Sequence, residues 1–246
     1  MKVFEQLERQ RDWPEEERIL LDTVRRVADE VIAPRAEALD RSGEFPWDNV
    51  AALNELGLNA IFVPEAYGGA AMSFRAYLAC VQAISEACAS TGIIYATTYH
   101  AMKPLIEFGA EEQKQRLLPR IAEGGLASLV ITETTAGSDA TGMQTRFTPD
   151  GDDVVLDGAK LFITNGGVAD LLLVFGKWSE IDDAKGAISA IVVEKDTPGL
   201  SVTKVEDKMG HRASNTVALA FDGCRAPRAN MLGEPGDGLD LLLASL

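Results

Sequence analysis

The spacing of apolar positions divides the chain into two stretches of different character. In the first stretch apolar residues recur three or four positions apart, as in a helix with one buried face, beginning with Ile19, Leu20, Val24, Val27 and Val31. Asp12, followed by Trp13-Pro14 and three glutamates, predicts an N-terminal cap with a proline in the first turn. Pro34 predicts that this helix weakens there. Further helices are predicted at about 47–56, 74–89 and 111–123.

From Leu126 onward, short β-branched or apolar runs alternate with turn-forming residues. The runs that predict strands are Ser128–Thr132, Val154–Leu156, Leu171–Phe175, Ile188–Val193 and Val217–Phe221. Turns are predicted at 149–152 (Pro-Asp-Gly-Asp) and at 156–158 (Leu-Asp-Gly). The sequence therefore predicts an α+β protein, in which an all-helical domain at 1–125 precedes a β domain at 126–236 that forms a small barrel or sandwich.

The last residues return to a helical pattern. After a glycine-rich turn at 233–238, residues 239–246 read Leu-Asp-Leu-Leu-Leu-Ala-Ser-Leu. Helices shorter than ~12–15 residues are marginal on their own in water, so these leucines need more chain to cover them. Residues 237–246 are therefore expected to begin a third, helical domain that continues beyond Leu246, and the chain is expected to be incomplete.

Charge and cysteine content exclude several classes of protein. Lys and Arg total 23 and Asp and Glu total 38, so the formal net charge is 23 − 38 = −15, which argues against a nucleic-acid partner. Cys80, Cys88 and Cys224 are widely spaced and form no CxxC, so neither a disulfide framework nor a zinc site is expected.

No apolar run is long enough to span a bilayer, and the charged N-terminus lacks the core of a secretory signal. A protein of a reducing compartment, the cytoplasm, without membrane contact is expected.

The first motif that suggests chemistry lies at residues 128–139, which read Ser-Leu-Val-Ile-Thr-Glu-Thr-Thr-Ala-Gly-Ser-Asp. A strand that runs into such a loop presents hydroxyls and backbone N–H groups to a ligand, because Ala, Gly and Ser do not block its approach. The same pattern is also typical of an ordinary turn. Spacing alone leaves both interpretations open.

A second motif at residues 156–167 reads Leu-Asp-Gly-Ala-Lys-Leu-Phe-Ile-Thr-Asn-Gly-Gly. Phe162 and Thr164 are two positions apart on a predicted strand and so point to one side, where they can contact one planar ligand. An aromatic and a hydroxyl on a half-exposed strand need no ligand, however.

Taken together and in this order, the motifs resemble those of the acyl-CoA dehydrogenase family. That family carries Thr-Glu and a small-residue loop ending in Gly-Ser-Asp, then a Gly-x-Lys-x-Trp-Ile-Thr-Asn-Gly strand. The chain has Thr132-Glu133, Gly137-Ser138-Asp139 and Gly158 to Gly166, with Phe162 in place of the tryptophan and Thr134 where proline is common. Similarity extends upstream to Val63-Pro64-Glu65 with Tyr67-Gly68-Gly69, and downstream to residues 208–216, 225–227 and 230–233.

The resemblance implies a helical N-terminal domain, a β-barrel-like middle domain and, in complete members, a C-terminal helical bundle, with FAD between the last two. Thr132 is expected to hydrogen-bond the isoalloxazine ring, Phe162 to pack on it and Thr164 to bond near its reactive nitrogen. Ser138 is also expected to touch the acyl-CoA substrate. The full set of expected flavin contacts is Leu129, Val130, Ile131, Thr132, Gly137, Ser138, Phe162, Ile163 and Thr164.

The activity implied by the resemblance is α,β-dehydrogenation of an acyl-CoA thioester to a 2-enoyl-CoA, with electrons passed to an electron-transfer flavoprotein. A homo-oligomer, either dimer or tetramer, is expected on the same ground. The helix and loop around 91–100 correspond to elements that line the acyl pocket.

The resemblance also implies where the catalytic base lies. The family's base is a glutamate in the C-terminal bundle, so the base is expected beyond Leu246. No catalytic residue is therefore expected in this chain, and Glu133 is expected to be structural.

The remaining polar groups are given ordinary roles. Lys160 and Arg212 are expected to be solvated, although either could face a phosphate. His100 and His211 lie far apart in sequence and show no triad or metal pattern, so no metal site is expected.

Two alternatives to the dehydrogenase remain. One is a related flavoprotein with different chemistry, an acyl-CoA oxidase, nitroalkane oxidase or desulfinase. The other is a non-catalytic subunit that a partner chain completes.

Overall fold

A computed structural model describes residues 13–245 of the chain, so the predicted cap at Asp12 lies outside the described residues. The first half is helical, as predicted. Its helices are α1 (Glu15–Val27), α2 (Ala33–Ser42), α3 (Trp47–Glu55), α4 (Phe74–Ala87), α5 (Ala89–Phe108) and α6 (Glu111–Ala122). None of the described helices is long and apolar enough to cross a bilayer.

The two prolines of the first helices both lie at the start of a helix. Pro14 is the N-cap of α1 rather than the residue of its first turn that was predicted. Near Pro34, where the helix was expected to weaken, α1 gives way to a π-helical turn at Ala28–Ile32, and Pro34 lies in the first turn of α2. The missing N–H of a proline needs no partner at that position. Helix α2 ends at Gly43, which adopts φ 71°.

Helix α5 is a long helix that periodicity missed. Its buried residues include Thr91, Ile94 and Tyr95 on one face and Gly92, Thr97 and Pro104 beside that face, so burial extends around much of the helix. A helix buried on several sides shows no single apolar face in its sequence. The family resemblance had indicated a helix and loop near 91–100, and the whole stretch is helical.

The second half is a mixed eight-stranded sheet. Its strands are β1 (Ala127–Val130), β2 (Arg146–Asp150), β3 (Asp153–Thr164), β4 (Leu171–Trp178), β5 (Ile188–Glu194), β6 (Leu200–Val205), β7 (Thr216–Pro227) and β8 (Met231–Leu232). The strand order is β6-β7-β3-β2-β4-β5-β8, and β1 pairs in parallel with β4. The predicted fold class, a helical domain followed by a β domain, is confirmed.

The two predicted turns had different outcomes. Gly151 and Asp152 form the turn between β2 and β3, as predicted. The predicted turn at 156–158 is wrong, because β3 runs through it with a shift in register against β7 between Leu156 and Gly158. At this bulge Asp157 on β3 faces two residues of β7, and its carboxylate accepts a hydrogen bond from the N–H of Gly223 at 2.8 Å, so the turn-forming residues lie within a continuous strand.

The sheet separates two apolar cores. On β4, Leu171, Leu173 and Phe175 pack in the core shared with the helices, while Leu172 and Val174 pack in a second core between strands. Strand β5 alternates in the same way, which explains why both strands are apolar at nearly every position.

A final helix, α7 (Gly238–Ser245), packs against α5 and β5. Leu241 and Leu242 are buried in the core shared with the helices, whereas Leu243 is exposed. The expectation that missing chain must cover these leucines is thus wrong for two of them, since the protein's own helix and strand do so. Leu246, beyond which the catalytic base is expected, lies outside the described residues.

Candidate functional site

The two motifs meet side by side at the end of β1. The N–H of Leu161 on β3 donates to the carbonyl of Thr132 at 2.9 Å. The hydroxyl of Ser128 on β1 donates to the carbonyl of Thr164 at 2.6 Å. Segments that are far apart in sequence therefore present Thr132 and Thr164 from adjoining backbones.

Phe162 is displaced outward by a bulge in β3. The residue pairs Lys160 with Leu219 and Ile163 with Val217 leave one extra residue on β3. Phe162 adopts φ 58°, the left-handed region that a bulky residue seldom occupies, and its side chain is 63% exposed. Strain of this kind at an exposed aromatic is often found where a ligand binds.

Phe162 is exposed, and Ile163, which follows it, is buried. We call the group of Thr132, Phe162 and Thr164, which lie on the adjoining segments, the outer face. Thr132 and Thr164 are both half-buried.

The other residues expected to contact the flavin differ in how deeply their side chains are buried. The side chains of Val130 and Ile163 are buried in the core between strands, so only their backbones can reach a ligand. Leu129 and Ile131 are half-buried against the core shared with the helices. Sequence position alone could not separate these inward side chains from the outward ones.

The loop that follows Thr132 is short and ordered by its own bonds. Glu133 and Ala136 exchange backbone hydrogen bonds of 2.9 and 3.2 Å around a tight turn. The carboxylate of Asp139 then accepts from the N–H of Thr141 at 3.0 Å and starts a 3₁₀ turn at Ala140–Gly142.

Gly137 and Ser138 are exposed on this loop. A Cβ atom added at Gly137 would meet no atom of the protein within 4 Å. The fold itself therefore does not require glycine there, and the open space suits close approach by a ligand.

Lys160 corrects the expectation that it would be solvated. Its side chain is fully buried, and its Nζ donates to the Glu133 carboxylate at 2.7 Å and to the Ile131 carbonyl at 2.8 Å. Neither solvent nor a phosphate reaches it. The Glu133 carboxylate also accepts from the N–H groups of Gln144 at 2.5 Å and Thr145 at 3.1 Å.

Burial and pairing shift the pKa values of both Lys160 and Glu133. Burial lowers the pKa of Lys160 to about 8, against the opposing effect of Glu133. Desolvation acts to raise the pKa of Glu133, but the Lys160 ammonium and the hydrogen bonds from Thr145 and Gln144 outweigh it and hold that pKa below its ordinary value. Glu133 is therefore a buried, paired carboxylate, in line with the structural role expected for it.

Asn165 is a residue to which the sequence assigned no role. Its side-chain amide donates to the carbonyls of Ile94 on α5 at 2.9 Å and Ala127 on β1 at 3.1 Å. The hydroxyl of Thr98 on α5 donates to the same Ile94 carbonyl and accepts from the N–H of Ala127 at 3.3 Å. These bonds close a ring that joins the helix expected to line the acyl pocket to the strand beside Thr164. An asparagine between a strand and a Gly-Gly pair was the only indication in the sequence.

Arg212 also has structural partners. Its side chain donates to the carbonyl of Asp40 at 2.8 Å and to that of Lys208 at 3.0 Å, and pairs with Asp207 at 3.1 Å. It thereby joins the end of α2 to the loop between β6 and β7. Within residues 13–245, no three His, Cys, Asp or Glu side chains gather in a group that could hold a metal ion.

The residues on the outer face fit one side of a flavin. An exposed aromatic ring, two half-buried threonines on adjoining segments and a loop that is open at Gly137 suit a planar ring system carrying a pyrophosphate.

Comparison with known proteins gives matches along both halves. The chain matches the family model described as acyl-CoA dehydrogenase, N-terminal domain, over residues 14–125, and that described as acyl-CoA dehydrogenase, middle domain, over residues 128–224. It is 41% identical over 233 residues to the probable acyl-CoA dehydrogenase YngJ of Bacillus subtilis, covering 94% of this chain and 61% of that protein.

Two solved structures match the fold closely. Butyryl-CoA dehydrogenase from Megasphaera elsdenii superimposes with a TM-score of 0.91 at 31% identity, covering 96% of this chain and 63% of that one. A chain from the structure of the electron transferring flavoprotein of Acidaminococcus fermentans gives a TM-score of 0.91 at 34% identity, covering 95% and 62%. The chain thus spans about three fifths of the length of these relatives. With both family models matched in order, and with the two motifs joined by hydrogen bonds, the chain belongs to the acyl-CoA dehydrogenase family.

Proposed function

We propose that this chain forms one side of the flavin site of an enzyme that oxidises an acyl-CoA thioester to the 2-enoyl-CoA with FAD as cofactor. Acyl-CoA dehydrogenases are FAD flavoproteins. The observation that carries the proposal is Phe162 of the outer face, which is held exposed in a strained backbone next to the hydrogen bond between Leu161 and Thr132. In this proposal the chain comprises a helical domain at residues 1–125, a β domain at residues 126–236 and the start of a third domain at residues 237–246.

Each residue of the outer face has a part in this proposal. Bound FAD would accept the hydride that leaves the β-carbon of the substrate. Phe162 packs on the ring, while Thr132 and Thr164 donate hydrogen bonds to it. The exposed loop at Gly137 and Ser138 accommodates the pyrophosphate, and Ser138 also contacts the CoA-bearing substrate. Val130 and Ile163 contribute through their backbones, since their side chains are buried.

The proton-abstracting base comes from elsewhere than Glu133. The Glu133 carboxylate adjoins Thr132, but it is buried and engaged by Lys160 and by two backbone N–H groups. A base must reach the substrate proton directly or through one water, which this arrangement prevents. We propose that the base lies beyond Leu246, in the C-terminal helical bundle that the family resemblance implies, and that the chain as given is inactive by itself.

Partners and setting follow from the same family. Electrons are proposed to pass to an electron-transfer flavoprotein, in keeping with the match to the A. fermentans structure. We also propose that the protein forms a homo-oligomer and that it acts in fatty-acid β-oxidation in the cytoplasm. The net charge of −15 is compatible with this location.

The test is the visible absorption of the flavin-loaded enzyme during anaerobic titration with saturated acyl-CoAs of graded chain length. Bleaching of the flavin by at least one acyl-CoA is expected. A flavin that no acyl-CoA bleaches contradicts the proposal. Fast reoxidation of the bleached flavin by oxygen alone would indicate an acyl-CoA oxidase rather than a dehydrogenase.

A second experiment tests incompleteness. The 246-residue polypeptide, ending at Leu246, is expected to show no dehydrogenase activity when supplied with FAD. Full activity with tightly bound FAD would overturn this part. Co-purification of a second chain that restores activity would identify a subunit completed by a partner.

A further inference from the structure

Two neighbouring residues of β3 hold three successive positions of the backbone that carries Thr132. Lys160 Nζ donates to the Ile131 carbonyl at 2.8 Å and to the Glu133 carboxylate at 2.7 Å. Between these contacts, the N–H of Leu161 donates to the carbonyl of Thr132 at 2.9 Å. The backbone is therefore fixed on both sides of Thr132.

The same stretch of β3 also determines where Phe162 lies. Lys160 points into the protein and is fully buried, whereas Phe162, two residues later, is 63% exposed beyond the bulge. Because Lys160 anchors β3 immediately before the bulge, it connects the placement of Phe162 to that of Thr132. Phe162 and Thr132 lie on different segments of the chain, so covalent connectivity does not fix the distance between them.

A buried ion pair is a poor device for stability alone. Desolvation of two charges offsets most of their attraction, and apolar residues of similar volume often stabilise a fold as well or better. A lysine ammonium does offer three directional donors, and two of them here reach acceptors on either side of Thr132. The Glu133 carboxylate extends the connection to the backbone of Gln144 and Thr145. An apolar pair could replace the stability that the ion pair contributes, but it could not replace these directional hydrogen bonds.

We propose that Lys160 and Glu133 are positioning residues of the flavin site, which fix Thr132 against Phe162 at the spacing that the isoalloxazine ring requires. The inference rests on the proposed function and deepens it. Neither side chain touches the flavin; both act through the backbone that they hold.

The test compares the flavin-loaded enzyme with Lys160→Met and with the double variant Lys160→Met/Glu133→Gln. The single variant leaves the Glu133 carboxylate buried without its cation, which lowers stability. In the double variant no buried charge is left unpaired, and the single amide oxygen accepts from one of the two backbone N–H groups, so part of the stability returns. The flavin site stays altered in both variants, because the contact to Ile131 is absent.

Four readouts separate positioning from a purely structural role. We expect FAD affinity to fall about tenfold and the visible flavin band to shift in both variants. We expect kcat to fall about 10- to 100-fold while KM for acyl-CoA changes by less than about twofold, because misplacement affects the reacting geometry. In the flavin-free protein, the Leu161 amide should exchange with deuterium faster in both variants.

Lys195→Met is the matched control, because it makes the same substitution at an exposed ion pair with Asp170 in the same domain. It should leave all four readouts unchanged. A double variant that recovers native FAD affinity and absorption overturns the inference. So does a double variant that fails to fold, since the pair would then be a determinant of folding. Failure of the proposed function itself appears differently, as native enzyme without flavin or without bleaching.

Discussion

Substitution of Asn165 by alanine tests the ring of hydrogen bonds that joins α5 to β1. The variant loses two bonds to the carbonyls of Ile94 and Ala127, each worth about 1 kcal/mol net. Asn165 also adopts φ 63°, where alanine is disfavoured by a further ~1 kcal/mol. The Oδ1 atom of Asn165 is buried without a partner, so its removal returns about 1 kcal/mol. The expected net loss in the free energy of unfolding is about 2 kcal/mol.

This loss is measurable by urea-induced unfolding, and for a chain of this size it corresponds to a fall in Tm of about 4–8 °C. Asn165→Gly is the matched control, because glycine adopts the left-handed backbone freely but also lacks both bonds. It should lose about 1 kcal/mol less than alanine. The reasoning is refuted if Asn165→Ala stays within about 0.5 kcal/mol of the native protein, or if glycine and alanine behave alike.

Three other changes have defined outcomes. Because the pKa of Glu133 is lowered in the folded state, its ionised form adds stability above pH ~4.5 that is lost as pH falls through the folded value. Glu133→Gln should therefore be less stable than the native protein in urea at pH 7, with a difference in stability that narrows as pH falls below 4.5; a constant difference would contradict this. Phe162→Gly should leave stability equal or up to ~1 kcal/mol higher, since it relieves φ 58°, yet weaken FAD binding, whereas Phe162→Ala keeps the strained backbone and should weaken FAD binding alone. Tighter FAD binding by Phe162→Gly would disprove the assigned ring contact. Burial raises the pKa of Cys80 to about 12 and that of Cys224 to about 11, so neither should react with a thiol reagent in native protein at pH 8. Prompt labelling of either, read by mass spectrometry, would contradict the described burial.

How far the fold could be predicted depended on how each element is buried. Helices with one buried face, such as Trp47–Glu55 and Glu111–Ala122, appear in the sequence as periodic apolar residues. Helix α5 does not, because it is buried on several sides. The Asp157-Gly158 pair was read as a turn, since its chemistry is the same at a turn and at a bulge. Pairing with the distant β7 decided between them, and no local pattern contains that information.

Some residues of the candidate site could be predicted from the sequence, whereas the environment of others could not. Thr132, Phe162 and Thr164 were predicted from ordered motifs, and the segments that carry them adjoin in the fold. Lys160 was expected to be solvated, because lysine alone favours water. Its burial depends on Glu133, which is remote in sequence and adjacent only in the fold. Contacts between side chains from separate strands are the part that sequence reasoning could not supply.

The central claim is that the outer face of this chain binds the flavin ring. A structure of the enzyme with FAD tests it most directly. The isoalloxazine should lie against the ring of Phe162, with the hydroxyls of Thr132 and Thr164 in hydrogen-bond contact and the pyrophosphate near Gly137. A flavin bound elsewhere, with Phe162 still exposed to solvent, would contradict the claim.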